Sequence, residues 1–583
     1  MRLKKHYLYS IALVASIIGM IAFILDFGFV QSEFEQQLID GFYFLVIAIG
    51  LLSTFARYFK KPDFSRKKVF IFDLLSVLYT LYIFYMYLFV GEAFTTDLIL
   101  ENPLWVIMAV ILTFFREFFD RKINFSRAFL NPAQLFILSF FLVILFGSFL
   151  LMLPNAANEK ISFLDALFTS TSAVCVTGLI VVDTATYFTT FGKVIILFLI
   201  QIGGLGILTF ASYFSYFFKG VSTYESQLTL SEMTNSGKIG EVFKTLKYII
   251  LITLTIEGIS ALMIFLTLRS APFETFTDRV FFSVFHAVSA FCNAGFSTLT
   301  NNLYEDGFRF NYALQLIVII TLVFGGLGFP IVANMLEFVK HKVRLILSNT
   351  PNTKTHRPWV LNINSRITLI TTIVLIVTGF VLYFLFEYNH TLSNHTSLWG
   401  KIVTALFGST TPRTAGFNTV DMTALSFPTV MITFLLMWIG ASPASTGGGI
   451  KTSTFAIATL NILSLAKGKN RIEIYRREIS DISVRRAFAT IALSLMVIGA
   501  GITIITVSDP EKGLLNIGFE CFSAYSTVGL SLGITAGLSN TGKLIIIAIM
   551  FIGRVSMLSI VIAFFKKVKH KNYRYPTEEI TIN

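Results

Sequence analysis

Four short segments of this chain share one pattern: a Ser or Thr, five residues, then a Gly. They read Ser172-Ala-Val-Cys-Val-Thr-Gly178, Ser289-Ala-Phe-Cys-Asn-Ala-Gly295, Thr410-Thr-Pro-Arg-Thr-Ala-Gly416 and Ser523-Ala-Tyr-Ser-Thr-Val-Gly529. Their glycines lie 117, 121 and 113 residues apart. Each segment follows a short, largely apolar stretch and precedes a long apolar run. Recurrence at a fixed period marks a repeat architecture. Polar, glycine-containing backbone at membrane depth is tolerated only where it is buried in protein or lines a water-filled path. The pattern therefore restricts the chain to folds in which four equivalent loops share one interior, as in a pore built from a single chain.

Composition supports the membrane reading. The chain has 583 residues, of which 55% are hydrophobic and only 14% charged, with 62 Phe. Many runs reach the ~20 apolar residues needed to cross a bilayer. The fold class expected is an all-α polytopic membrane protein with the lipid bilayer as its surroundings. The net charge of +13 does not indicate nucleic acid, because the basic residues fall between alternate apolar runs. Arg57, Lys60, Lys61, Arg66, Lys67 and Lys68 form one cluster, and Lys566, Lys567, Lys569 and Lys571 another. Cys175, Cys292 and Cys521 give neither a disulfide framework nor metal-ligand spacing. Cys175 and Cys292 occupy equivalent places and read as small side chains packed behind a pore wall. Met1-Arg-Leu-Lys-Lys-His6 resembles the start of a signal peptide. The apolar run continues past Phe23 without a small-residue cleavage site, so an uncleaved first helix is expected.

Four spans come first, near residues 7–30, 41–56, 69–91 and 104–119. Acidic stretches (Glu33, Glu35, Asp40, and later Glu92, Asp97, Glu101) alternate with basic ones, which places both termini in the cytoplasm. This extension covers residues 1–130. Repeats of span, half-helix, glycine segment and span are assigned to 131–220, 221–345, 346–470 and 471–583, the last including a cytoplasmic tail. First spans are placed near 133–153, 247–268, 367–386 and 487–507, half-helices near 162–172 and 277–289, and second spans near 188–218, 310–339, 426–465 and 541–565. Two spans per repeat keep all four copies parallel, so the glycine segments all enter from the outside and can surround one path.

A dehydrated monovalent cation needs oxygens to replace its water, and backbone carbonyls can supply them. Glycine enters the φ > 0 regions such a turn requires and lets main chains approach closely. The Ser or Thr six residues earlier can bond to backbone freed at the end of the half-helix. The partially negative C-terminal end of that half-helix favours cations.

With these residues in place, the chain resembles the Trk/Ktr/HKT superfamily of potassium transporters, and the bacterial TrkH/KtrB branch in particular. The resemblance covers about residues 130–567 and is most specific at Thr411-Pro-Arg-Thr-Ala-Gly-Phe-Asn-Thr-Val-Asp421, Phe291-Cys-Asn-Ala-Gly-Phe296, Val176-Thr-Gly-Leu179 and Gly447-Gly-Gly-Ile-Lys-Thr452. It implies a selectivity filter formed by Cys175, Val176, Thr177 and Gly178; Cys292, Asn293, Ala294 and Gly295; Arg413, Thr414, Ala415 and Gly416; and Ser526, Thr527, Val528 and Gly529. A glycine in all four loops implies K+ over Na+. It further implies a bacterial cytoplasmic membrane location, a homodimer and a cytosolic nucleotide-binding RCK subunit of the TrkA/KtrA kind. No cofactor is expected on this chain, with K+ as the transported ion bound at filter carbonyls and Na+ as a candidate modulator.

In the third repeat's second span, Gly440, Ala441, Ser442, Pro443, Ala444, Ser445, Thr446, Gly447, Gly448 and Gly449 interrupt an apolar run near the membrane middle. Proline and consecutive glycines do not continue a helix cheaply. The resemblance implies an occluding gate loop here, with Lys451 following it and Arg554 beside it. The family tends to continue Gly-Arg-Val-Gly-Pro, whereas this chain has Ser556-Met557 after Val555. Arg413 is expected to point away from the axis, and His286 and Glu520 to make hydrogen bonds behind the filter. Gly203-Gly204-Leu-Gly206 and Gly325-Gly326-Leu-Gly328 read as close-packing or flexible points at equivalent positions. The rival readings are a symporter coupling K+ to H+ or Na+ and an intramembrane enzyme. The second is disfavoured by the lack of an interpretable nucleophile–base pair.

Overall fold

The computed structural model describes residues 2–59, 67–86, 104–120, 132–206, 242–269, 273, 275–347, 361–564 and 578. The basic clusters around Lys566 and most of the 219–247 connection lie outside the described residues. Apart from a small hairpin, Glu473–Ile474 with Arg477–Glu478, the regular structure is helical. Six helices among the described residues are long and apolar enough to cross a membrane, and two bent pairs raise this to eight.

The first four helices, Arg2–Gly28, Glu33–Tyr58, Lys67–Tyr85 and Leu104–Asp120, form a bundle. Ser32 and Glu35 build a capping box at the start of the second. Tyr43, Val46, Ile47, Ile107, Ala109 and Val110 fill its core. Its buried charges are paired: Arg57 lies 2.6 Å from Glu117 and Arg116 pairs with Asp73, with Asp73, Arg116 and Glu117 all buried. The bundle docks on the first repeat, where the Asn155 side-chain amide donates to the Phe27 carbonyl at 3.1 Å and Phe27 meets Phe191.

The outer helices of the four repeats are Pro132–Leu151, Val242–Thr267, Ile363–Glu387 and Asp481–Ser508. The half-helices are Phe163–Val174, Phe276–Cys292, Leu398–Thr410 and Leu514–Ser526. Ser162, Thr275 and Ser397 cap the first three through their side-chain oxygens, which fixes where each re-entrant segment turns inward. The inner helices begin at Thr190, Tyr312, Phe427 and Asn540. The cap residue of each inner helix is also tied to the end of its outer helix. Ser426 donates to Glu387 (2.9 and 2.7 Å) and Ser539 to Asp509 (2.7 Å, twice). The Thr189 hydroxyl bonds the Asn155 carbonyl (2.6 Å) and Asn311 the Thr267 carbonyl (3.4 Å).

Each half-helix packs against the inner helix of the preceding repeat: the second against Thr190–Leu205, the third against Tyr312–Leu327, the fourth against Phe427–Trp438. The first packs against Asn540–Val555, and the Lys543–Asp165 ion pair (2.7 Å) reinforces that contact. The four units therefore close into a ring.

The second spans are not continuous, contrary to the boundaries expected from hydropathy. Helices end at Leu205, Leu327 and Val555, each followed by a residue of positive φ: Gly206 (79°), Gly328 (82°) and Ser556 (74°). Tyr312–Leu327 and Phe329–Val343 meet at 107°, and Asn540–Val555 and Met557–Phe564 at 83°. Residues 207–218 of the first span lie outside the described residues. An apolar run reports depth but is blind to a one-residue break in the backbone.

Candidate ion pathway

The four glycine segments meet. A Cβ on Gly295 would stand 2.9 Å from both the Ala415 carbonyl oxygen and the Gly416 Cα. One on Gly178 would overlap the Ala294 oxygen, one on Gly416 that of Val528, and one on Gly529 that of Thr177. Each glycine thus faces the carbonyl just before the glycine of the next repeat, in the order one, two, three, four and back to one. A Cβ at any of these places crowds a neighbouring main chain, least so at Gly295, and every one has positive φ, between 70° and 93°.

Two residues before each glycine the backbone is again left-handed: Val176 (58°), Asn293 (60°), Thr414 (71°) and Thr527 (50°). Non-glycine residues in this region, β-branched ones above all, cost of order 1–3 kcal/mol each and persist only where their surroundings enforce them. Four copies of one outlier pattern indicate a built site. The Asn293 amide donates to the carbonyls of Ala290 (3.0 Å) and Leu322 (3.1 Å) and accepts the Thr414 hydroxyl (3.1 Å), joining neighbouring loops.

The polar residues ending the half-helices hold this backbone. Ser172 and Ser523 accept the N–H of Gly178 (3.0 Å) and Gly529 (3.1 Å), and Ser289 donates to the Phe296 carbonyl (2.7 Å). In the third repeat the expectation for Thr410 is corrected. Its hydroxyl returns to the Leu406 carbonyl in its own helix, and Thr411 bonds the Phe417 carbonyl instead (2.5 Å). Pro412 follows, and this loop closes through the Ala415 N–H to the Thr411 carbonyl (3.0 Å).

The remaining filter candidates fall behind the ring. Cys175 and Cys292 are buried at the half-helix ends, and the Cys292 sulfur lies near Gln201 and Glu257. Ser526 is buried beneath the fourth loop. The Arg413 guanidinium turns outward to the Thr372 carbonyl of the third outer helix (3.4 Å), as expected for a cation kept off the axis. His286 reaches Ser297 (2.9 Å), and Glu520 accepts Ser531 and Thr535. Ser297 and Ser531 each stand two residues past a glycine of the ring, so the two titratable groups make equivalent braces behind two loops.

The glycine clusters of the inner helices have two separate roles. Cβ atoms on Gly203, Gly325 and Gly553 would overlap the carbonyls of Val174, Phe291 and Tyr525, each four residues before a filter glycine. These are close approaches of helix to half-helix, whereas Gly206 and Gly328 are the breaks. Sequence reading noticed the clusters in two repeats but missed their equivalence to Gly553 and Ser556.

In the third repeat the break is a whole loop. The helix stops at Trp438 and resumes at Thr452. The segment between them presses on the side of the ring where the half-helices end. The Gly448 N–H donates to the Thr527 hydroxyl (2.9 Å), Thr446 donates to the Phe291 carbonyl (3.2 Å), and Gly449 lies beside Ser526. The Ser442 N–H reaches the Gly326 carbonyl (2.9 Å), and the Phe329 N–H reaches that of Ala444 (3.3 Å). A Cβ on Gly447 would overlap the Thr414 hydroxyl. Gly440 faces the Gly448 backbone, and Ala441 accepts the Thr452 N–H (3.2 Å). Ser445 donates back to Ser442 (2.6 Å), which folds the turn around Pro443. Arg554 donates to the carbonyls of Thr446 and Gly203, and Lys451 to those of Gly447 (2.6 Å) and Gly448 (3.4 Å). The loop thus touches residues of the second, third and fourth repeats, and Arg554 links it to Gly203 of the first.

A sequence model of the TrkH family, described as a cation transport protein, matches residues 104–575. The chain belongs to this family. The Ktr system potassium uptake protein B of Bacillus subtilis (strain 168) is 36% identical over 462 residues, covering 79% of this chain and 98% of that protein. The potassium/sodium uptake protein NtpJ of Enterococcus hirae is 35% identical over 460 residues, covering 78% and 97%. The crystal structure of the potassium transporter TrkH from Vibrio parahaemolyticus superposes with a TM-score of 0.61 at 18% identity, covering 85% of this chain and 97% of that one, a likeness of fold.

Proposed function

We propose that this chain takes up potassium through the ring of four loops, with the 439–451 segment as its gate. The observation that carries this reading is the closed cycle in which each glycine abuts the carbonyl before the next. The oxygens of Thr177, Ala294, Ala415 and Val528 then replace the ion's hydration shell. The sixteen residues assigned to the filter act through their backbone, and the side chains of Cys175, Cys292, Arg413 and Ser526 serve as its wall. Movement follows the electrochemical gradient, which for an inside-negative potential is worth ~2.3 kcal/mol per charge per 100 mV.

The gate reading rests on position. Irregular backbone at membrane depth lies against the inner rim of the ring and is held there by Arg554 and Thr527. Opening requires those bonds to break. A homodimer carrying a cytosolic nucleotide-binding RCK subunit would supply the force. In this reading the chain lies in the bacterial cytoplasmic membrane with both termini inside, binds no cofactor and is not an enzyme. Residues 1–130 form an extension beside the repeats at 131–220, 221–345, 346–470 and 471–583. A coupled symporter with Na+ or H+ is the second reading, favoured by the potassium/sodium naming of the Enterococcus relative.

Potassium uptake into a transport-deficient cell, with and without Gly295→Ser, tests the assignment. Rescue of growth on low K+ by the unaltered chain, and its loss or admission of Na+ in the variant, is expected. Equal rescue by both proteins refutes the filter. A reversal potential that follows K+ alone separates uniport from symport.

A further inference from the structure

Lys451 stands where stability alone would not put a positive charge. It is the N-cap of the helix Thr452–Ala466, where the helix dipole opposes a cation. Among the described residues no carboxylate pairs with its ammonium, and its charged neighbour is another cation, Arg554, across the same loop. Charges at membrane depth are costly and mark function or an interior partner. What the Lys451 ammonium has are two main-chain oxygens, those of Gly447 at 2.6 Å and Gly448 at 3.4 Å. These belong to the two loop residues pressed against Thr414 and Thr527, the left-handed residues of the third and fourth filter loops. Backbone carbonyls around a monovalent cation at the foot of the ring repeat the chemistry of the ring itself.

We propose that the Lys451 ammonium is a tethered cation filling an ion site made by the Gly447 and Gly448 carbonyls, which a transported monovalent cation takes only when the ammonium leaves. This rests on the pore reading above and adds an occupant and a site to the gate. Closure is then electrostatic as well as steric: a fixed charge a few ångströms from the next ion repels it far more strongly inside protein than in water.

The test is uptake of radiolabelled Rb+ by proteoliposomes holding the full chain without any other subunit. Lys451→Met is expected to raise the flux about tenfold or more, and Lys451→Arg, which keeps the charge in a bulkier head, to raise it less. Methylammonium, a free copy of the lost group, should inhibit the Lys451→Met flux and leave the unaltered protein unaffected. A Lys451→Met protein that elutes as the parent does yet shows no rise, or a raised flux indifferent to methylammonium, overturns the proposal. Lys451→Gln provides a second neutral variant. If neither neutral variant is monodisperse, the lysine is architectural and the proposal falls. Gly295→Ser in each background separates the two ideas. Admission of Na+ by Gly295→Ser without a rise in Lys451→Met sinks the lysine site alone. A rise in Lys451→Met with ion preference untouched by Gly295→Ser sinks the filter.

Discussion

Ser556 invites a substitution that should improve the protein. Three inner helices break at equivalent points, and the backbone angles there nearly coincide: Gly206 at φ 79°, ψ 123°, Gly328 at 82°, 145° and Ser556 at 74°, 125°. Glycine enters this region freely, whereas a residue with a Cβ pays of order 1–3 kcal/mol. Replacing Ser556 by Gly relieves that strain but loosens the unfolded chain, at a cost of about 0.5–1 kcal/mol. The net expectation is a stabilisation of the bent helix by about 0.5–2 kcal/mol. For a chain of this length the thermal midpoint of the purified protein should rise by roughly 1 °C, small but resolvable in paired scans. Because Arg554, two residues earlier, holds the proposed gate loop, the same bias should act on uptake. If opening straightens this helix, Ser556→Gly should lower the open fraction about 2- to 30-fold, since each 1.4 kcal/mol is a factor of ten.

Gly328→Ser is the matched opposite. It introduces the strain and also sets a Cβ 2.7 Å from the Pro443 carbonyl oxygen and 3.1 Å from that of Ala444, both in the gate loop. A lower midpoint and a leakier pore are expected. A Ser556→Gly protein with an unchanged or lowered midpoint would show that the positive-φ break is not strained, and the argument from backbone geometry would fail there.

Other expectations follow from single contacts. Gly553→Ala places a methyl group onto the Tyr525 carbonyl, so the fourth repeat should lose its packing and the yield of monodisperse protein should collapse, whereas Gly499→Ala, with nothing within 4 Å, should be silent. Glu117→Ala strips the half-buried Arg57 and the buried Arg116 of a shared partner at a cost of about 1–3 kcal/mol, read as earlier proteolysis of the N-terminal bundle. His395, in the segment outside the third half-helix, is buried between Tyr312 and Thr404, and burial together with Arg309 and Lys401 holds its pKa below the usual 6.5. Its neutral form is the folded one, so the unfolded chain binds the extra proton. This contribution to stability is present above about pH 6.5 and is lost as pH falls through that value toward the lower folded pKa. His395→Gln should flatten the acid limb of a midpoint-against-pH curve, and an unchanged limb would assign it to other groups.

What the sequence revealed and what it hid follow a physical division. The half-helices and the glycine ring were legible because each needs a particular residue type at a fixed offset, whereas the caps Ser162, Thr275 and Ser397 went unnoticed. The 439–451 loop was legible because Pro443 and Gly447 to Gly449 cannot continue a helix. The single-residue breaks were hidden because Ile207, Phe329 and Met557 carry the apolar run on unaltered. Thr411 displaced Thr410 because Pro412, with no N–H, changes how the third loop closes on its half-helix. The ties of Glu387 to Ser426 and Asp509 to Ser539 span 39 and 30 residues. No local pattern announces a pairing of that length.

The third repeat is where the fourfold likeness fails, and the failures have one cause. Gly203, Gly325 and Gly553 each lie against a half-helix carbonyl, but the equivalent Gly440 lies against Gly448 of its own loop. The loop replaces a one-residue break with a long non-helical segment whose polar backbone must be satisfied away from water. It draws those partners unequally: Phe291 and Gly326 from the second repeat, Thr414 from the third, and Thr527 and Arg554 from the fourth. Four identical subunits could not provide such different partners for a single insert. Joining the repeats in one chain lets each diverge at the inner rim while the ring of glycines stays fourfold. In the proposed reading, conduction then rests on symmetry and gating on its loss.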